Sequence, residues 1–168
     1  MASRGAQLRP SRRLLISPLR TEGDPNAVHN YRFKRQTGQF GMFAGVTAHA
    51  LRQTTPPMGA DHVSDRVWLD TSHVTDSFRD TSLTLGQSQI EWLQTGLRHV
   101  ADDIARAEPT AHLVVVIDAL EIFETDYSDE ALGLAIAGWA AQEFGFTNRP
   151  VDIRLDDQTH RYVISWAG

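Results

Sequence analysis

The chain has 168 residues, 41% of them apolar and 22% charged, with a formal net charge of −5 and no cysteine; that length suits one domain with a real core and is short for two. Disulfides and thiolate chemistry go with the cysteine, and no run approaches the about eighteen apolar residues that read as a membrane span. Met1 to Ile16 carries arginines without a continuous apolar stretch, so no secretory signal is expected and the expected compartment is the cytoplasm.

Met1 to Pro10 has no periodicity and reads as a disordered arm, residues 1–10, ahead of a single domain over residues 11–168. The amino-terminal part is basic: Arg4, Arg9, Arg12, Arg13, Arg20, Arg32, Lys34 and Arg35 stand against only Glu22 and Asp24, whereas acidic residues dominate Asp118 to Asp157. Arg9, Arg12 and Arg13 are candidate contacts to a phosphate backbone, although the same composition suits a solvated terminus. Leu14-Leu15-Ile16, ended by Pro18, predicts a first strand over Arg12 to Leu19, and Gly23 to Ala27 reads as a loop. Strands over Tyr31 to Arg35 and Met42 to Leu51 then flank a glycine-containing turn. Gln53 to Asp61 reads as a turn-rich connection, and Arg66 to Thr71 as a strand with Val67 and Leu69 on one face and Trp68 on the other.

From Thr84 the period changes. Ile90, Leu93, Leu97, Val100 and Ile104 recur at intervals of three and four, which predicts one amphipathic helix, started by a Thr84–Gln87 capping box and stopped by Pro109. Leu113-Val114-Val115-Val116-Ile117 is an unbroken apolar, mostly β-branched run and predicts a central strand covered on both faces, continuing to about Phe123. Ser128 begins a second helix through Phe144, rich in alanine and ended by Gly145. Val151 to Leu155 and Arg161 to Trp166 predict a terminal hairpin turning near Asp156-Asp157. The order argues for an α+β two-layer sandwich, a mainly antiparallel sheet with two helices on one face.

Catalytic motifs are missing: there is no phosphate loop, no His-Glu-x-x-His, no Gly-x-Ser-x-Gly and no cysteine nucleophile. Asp61, His62, Asp65, Asp70, His73, Asp76 and Asp80 are ligand-type residues, but their spacing fits no metal loop and they read as solvated surface. His29, His49, His99, His112 and His160 are scattered singly and read as structural or exposed. Glu121, Glu124, Asp126, Asp129 and Glu130 cluster where the central strand gives way to the second helix. Asp129 and Glu130 favour the helix N-terminus through its dipole, or the cluster serves as an acid–base pair if burial raises one of them, or it forms part of a binding loop. Phe40 stands in the turn between Gly38 and Gly41, flanked by Met42 and Phe43, either folded back as an apolar plug or presented to a partner.

The segment Arg35-Gln36-Thr37-Gly38-Gln39-Phe40-Gly41-Met42-Phe43-Ala44-Gly45-Val46 resembles the first tip loop of domain IV of elongation factor G, the part of that translocase that reaches the decoding centre. Gln89 to Leu97 is similar to that family's helix with Tyr-Ile-Pro-Ala-Val-x-x-Gly-Ile, Leu113 to Phe123 to its following strand, and Leu132 to Glu143 to its alanine-rich helix. The matches run in the family's order over about residues 25–146; the terminal hairpin lies outside them. The resemblance implies a fold like ribosomal protein S5 domain 2 and a ribosome or rRNA partner. It implies contact through Arg35, Gln36, Thr37, Gly38, Gln39, Phe40, Gly41 and Met42 and a second tip loop at Glu124, Thr125 and Asp126. The family's nucleotide-binding domain has no counterpart here, so GTP is not expected to bind, and no cofactor or metal is expected. Two departures stand out: Thr125 takes the place of a tip histidine, and Phe40 replaces a position often basic or glycine. The implied function is a non-catalytic ribosome- or RNA-binding domain that modulates or protects the decoding region; relatives that protect ribosomes from antibiotics also carry altered domain IV tips. The alternative is a repurposed domain that binds a protein or small molecule in a biosynthetic or regulatory pathway, or an acid–base enzyme using the Glu121 to Glu130 carboxylates.

Overall fold

Strands β1 (His29–Thr37) and β2 (Phe40–Gln53) pair antiparallel from His29 opposite Ala48 to Thr37 opposite Phe40. The computed structural model describes residues 24, 26–38, 40–122 and 125–167. The predicted arm, the predicted strand over Arg12 to Leu19, and the candidates Arg9, Arg12, Arg13, Gln39 and Glu124 lie outside the described residues. The strand ladder leaves only positions 38 and 39 for the turn, and Gly38 takes a left-handed φ of 59° there. Phe40 is therefore a paired strand residue and not the middle of a loop, a correction that follows from the apolar alternation of Phe40, Met42, Ala44 and Val46 carrying the ladder to the turn.

The chain continues through β3 (Asp61–Ser64), β4 (Val67–Asp70), β5 (Thr75–Asp76), β6 (Thr81–Ser82), α1 (Gln87–His99), α2 (Ala101–Ala107), β7 (His112–Glu121), α3 (Asp129–Phe144), β8 (Val151–Asp156) and β9 (Arg161–Trp166). The main sheet has the order β1-β2-β7-β4-β3, with β5 and β6 attached beside β7, and β8–β9 form a separate hairpin. β7 is central as expected, antiparallel to β2 and parallel to β4. Met42, Val46, Leu113, Val115, Ile117 and Leu120 face a core shared with Leu93, Leu97, Ile104, Leu132, Ile136 and Trp139. The architecture is α+β, with a mainly antiparallel sheet and helices on one face.

Several expectations are corrected. The helix predicted as one piece breaks at Val100 (φ −105°, ψ 7°), yet Val100 and Ile104 stay fully buried because the apolar stripe continues across the break. It starts at Gly86, whose N–H donates to Gln89 Oε1 at 2.8 Å, so Thr84 and Gln87 form no capping box. The second face of β7 is only partly covered: Val116 and Asp118 are half-buried, and a bulge at Asp118 takes the register from Ile117 opposite Ala48 to Ala119 opposite Thr47. β3, β5 and β6 went unread because they are short and mostly polar, with too few residues to show an alternation. α3 spans its expected range and ends at a left-handed Gly145 (φ 72°), but Ser128, extended at the N-cap position, makes no side-chain cap hydrogen bond, so the expected cap is not formed. α1 crosses α3 where a Cβ on Gly96 would collide with the Gly133 carbonyl, so bare backbones make the contact. Among the described residues, no helix is long and apolar enough to cross a membrane.

The terminal hairpin is tied to the domain by Arg149 on Asp103 at 2.9 Å and by the His99 ring lying 4.3 Å from Trp166. Burial, reinforced by Arg149 and opposed by Asp103, holds His99 below its ordinary 6.5. The unfolded chain therefore takes up the proton more readily, so His99 contributes nothing unfavourable above about pH 6.5 and subtracts stability as the pH falls below it. Urea titrations at about pH 7.5 and about pH 5.5 are expected to show a smaller loss on acidification in His99→Phe than in the parent; an equal loss would contradict the assignment.

Candidate functional site

Phe40 shares the parity of Met42, Ala44 and Val46 and so lies on the helix-bearing face, but past the helices, where its side chain is 50% exposed. It is presented, not buried as a plug. Met42 behaves oppositely: at 1% exposure it belongs to the core, which removes it from the predicted contact surface. Arg35, Gln36 and Gly38 are exposed along the hairpin, joined by Lys34. Thr37 closes the ladder opposite Phe40.

The second predicted loop meets the first. After β7 the chain turns back, the Phe43 N–H donates to the Asp126 carbonyl at 2.8 Å, and Tyr127 bridges Phe43 in parallel sense. The Asp126 side chain packs over the bare α-carbon of Gly41, where a Cβ would stand 2.7 Å from Asp126 Oδ1. The Tyr162 hydroxyl of β9 donates to the Gly41 carbonyl at 3.2 Å, so the terminal hairpin closes the third side.

These segments enclose a cleft of about 350 Å³ lined by Phe40, Gly41 and Thr125 from the predicted tip. Ser88 and Trp92 of α1, Tyr127 to Glu130 at the start of α3, and His160 to Tyr162 at the terminal hairpin complete it. Sequence reasoning missed Trp92, Tyr127, Arg161 and Tyr162; an aromatic each from α1, the α3 approach and β9 was the available signal, but it carries no spacing pattern. The Tyr127 hydroxyl donates to Asp129 Oδ1 at 2.6 Å and accepts from Gln89 Nε2 at 3.0 Å. Burial, followed by the Asp129 contact, raises its pKa far above the ordinary phenol value, so it stays a neutral donor.

The acidic cluster does not assemble. Glu121 is buried on the sheet face opposite the helices, accepting from Arg32 Nε at 2.8 Å and Asn30 Nδ2 at 3.0 Å. Its side chain lies across Gly45, where a Cβ would be 2.8 Å from the Glu121 Cβ. Asp129 and Glu130 line the cleft on the other face, so Glu121 and the helix-start carboxylates cannot share a substrate proton. Of the residues weighed for metal, Asp70 and Asp76 instead hold turns, accepting from the Ser72 N–H at 2.9 Å and the Phe78 N–H at 2.8 Å. Burial alone would raise Asp70, but the two Ser72 hydrogen bonds with His73 and His49 outweigh it and lower its pKa. On the open sheet face His49 Nδ1 pairs with Asp118 Oδ2 at 2.7 Å. Among the described residues, no group of three or more His, Asp or Glu is arranged to hold a metal.

No protein-family model matches the chain, and no curated protein matches it. Among solved structures it is similar to a crystal structure of a Thermus thermophilus protein, at 14% identity and a TM-score of 0.42, over 66% of this chain and 14% of that one.

The opposite placements of Phe40 and Met42 set a direct comparison. Phe40→Ala is expected to leave the unfolding free energy within about 1 kcal/mol of the parent, whereas Met42→Ala costs about 2–5 kcal/mol. Denaturant midpoints measure both; similar losses in the two variants would contradict the assigned difference in burial.

Proposed function

We propose that this chain is a non-catalytic binding domain that engages ribosomal RNA through the β1–β2 tip, as its resemblance to domain IV of elongation factor G implies. The observation that carries the reading is the half-exposed Phe40 at the end of a two-residue hairpin whose outer strand exposes Lys34, Arg35 and Gln36. An exposed aromatic stacks on an unpaired base, and neighbouring cations meet phosphates, which is how loops of RNA are recognised. The acidic second loop is the objection to this reading. It is weakened because Glu121 is ion-paired with Arg32 on the other sheet face, away from the tip. Modulation or protection of the decoding region is the role that follows, and the S5 domain 2-like topology belongs to the same proposal. Capture of a small molecule is the second reading, favoured by the aromatic cleft beside the tip. Acid–base catalysis through Glu121 loses support from the separation of the carboxylates.

Co-sedimentation with ribosomes and isolated small subunits at low and moderate salt tests the proposal. The parent protein is expected to pellet, Phe40→Ala to bind more weakly by about 1–3 kcal/mol, and the Lys34→Ala, Arg35→Ala double variant to show a shallower salt dependence. Failure of the parent to pellet at either salt contradicts the function.

A further inference from the structure

The cleft beside Phe40 carries its own donor–acceptor code. Its walls include the rings of Phe40, Trp92, Tyr127 and Tyr162, brought from four different segments, and it is also lined by Asp129, Glu130 and Arg161. Tyr127 occupies one oxygen of Asp129, while no hydrogen bond or ion pair engages Glu130 among the described residues. An anionic ligand is opposed by the two carboxylates, and an organic cation is opposed by Arg161 and by the positive end of α3. A flat, neutral group that donates hydrogen bonds satisfies both constraints. Carboxylates are acceptors only, with two oxygens side by side. Among the RNA bases, guanine alone presents two adjacent donors, N1–H and N2–H, on its Watson–Crick edge; adenine and cytosine offer one exocyclic amine there, and uracil one imide N–H.

Resting on the RNA-binding reading, we infer that this cleft takes a single unstacked guanine of single-stranded RNA. The base stacks against the aromatic walls, its Watson–Crick edge is read by the Glu130 carboxylate, and Arg161, exposed at the cleft margin, meets the adjoining phosphate. About 350 Å³ has room for one base and part of its ribose.

Fluorescence anisotropy with labelled oligouridines of about nine nucleotides, the central base replaced in turn by guanine, adenine or cytosine, measures the preference. The guanine oligonucleotide is expected to bind roughly tenfold more tightly than the other three. Glu130→Gln is expected to bring the ratio of guanine-strand to uridine-strand affinity down to near unity; a ratio that stays at roughly tenfold, or an equal weakening of all four strands, overturns the role assigned to Glu130. Equal binding of the four strands by the parent overturns the guanine assignment and leaves the ribosome reading standing. GMP competing as well as the guanine strand overturns the assignment to RNA in favour of a free nucleotide. Absence of binding to every strand overturns the inference, and joined to failure to pellet with ribosomes it overturns the parent reading as well.

Discussion

The approach of Asp126 to the bare α-carbon of Gly41, closed by the hydrogen bond from the Phe43 N–H at 2.8 Å, sets the form of the tip. It places Tyr127 between the sheet and the helix start, and it leaves Phe40 beyond the last core layer. A side chain at Gly41 would force the Asp126 carboxylate to move, while the Tyr162 hydroxyl stays held by its 3.2 Å hydrogen bond to the Gly41 carbonyl.

The same economy of side chains separates the two sheet faces. Gly45 has no side chain, so Glu121 lies flat across β2 to reach Arg32 and Asn30, and a carboxylate that the sequence groups with the helix start is drawn to the opposite face. Gly96 and Gly133 let α1 and α3 touch backbone to backbone on the other side, which brings Trp92 within reach of the tip. Glycines thus decide where the aromatic surface forms and why the acidic residues do not form a catalytic pair.

What the sequence discloses and what it hides divide along physical lines. The end of α3 was legible because Gly145 acts locally on the backbone in a left-handed conformation, and β7 was legible because an apolar run with β-branched residues has few alternatives to a central strand. The break at Val100 was not legible, since both halves keep the same buried stripe and periodicity does not sense one turn of altered backbone. Short polar strands such as Thr75–Asp76 exist only through their neighbours. At the site, Phe40, Gly41 and Thr125 were found by their loops, while Met42 was misplaced because the strand reached two residues further toward the turn than expected. Trp92, Tyr127 and Tyr162 could not be joined from sequence, because their meeting depends on contacts between segments far apart in the chain.

The account stands on Phe40 being a contact with RNA. Replacing Phe40 by a photoreactive benzoyl-phenylalanine and irradiating the full chain in a ribosome-containing extract tests this most directly, with Phe78, likewise exposed, as the control position. Cross-links from position 40 concentrated in unpaired ribosomal RNA, and absent from position 78, are the expected result. Cross-links from position 40 that fall on proteins, or that match the pattern from position 78, would contradict it.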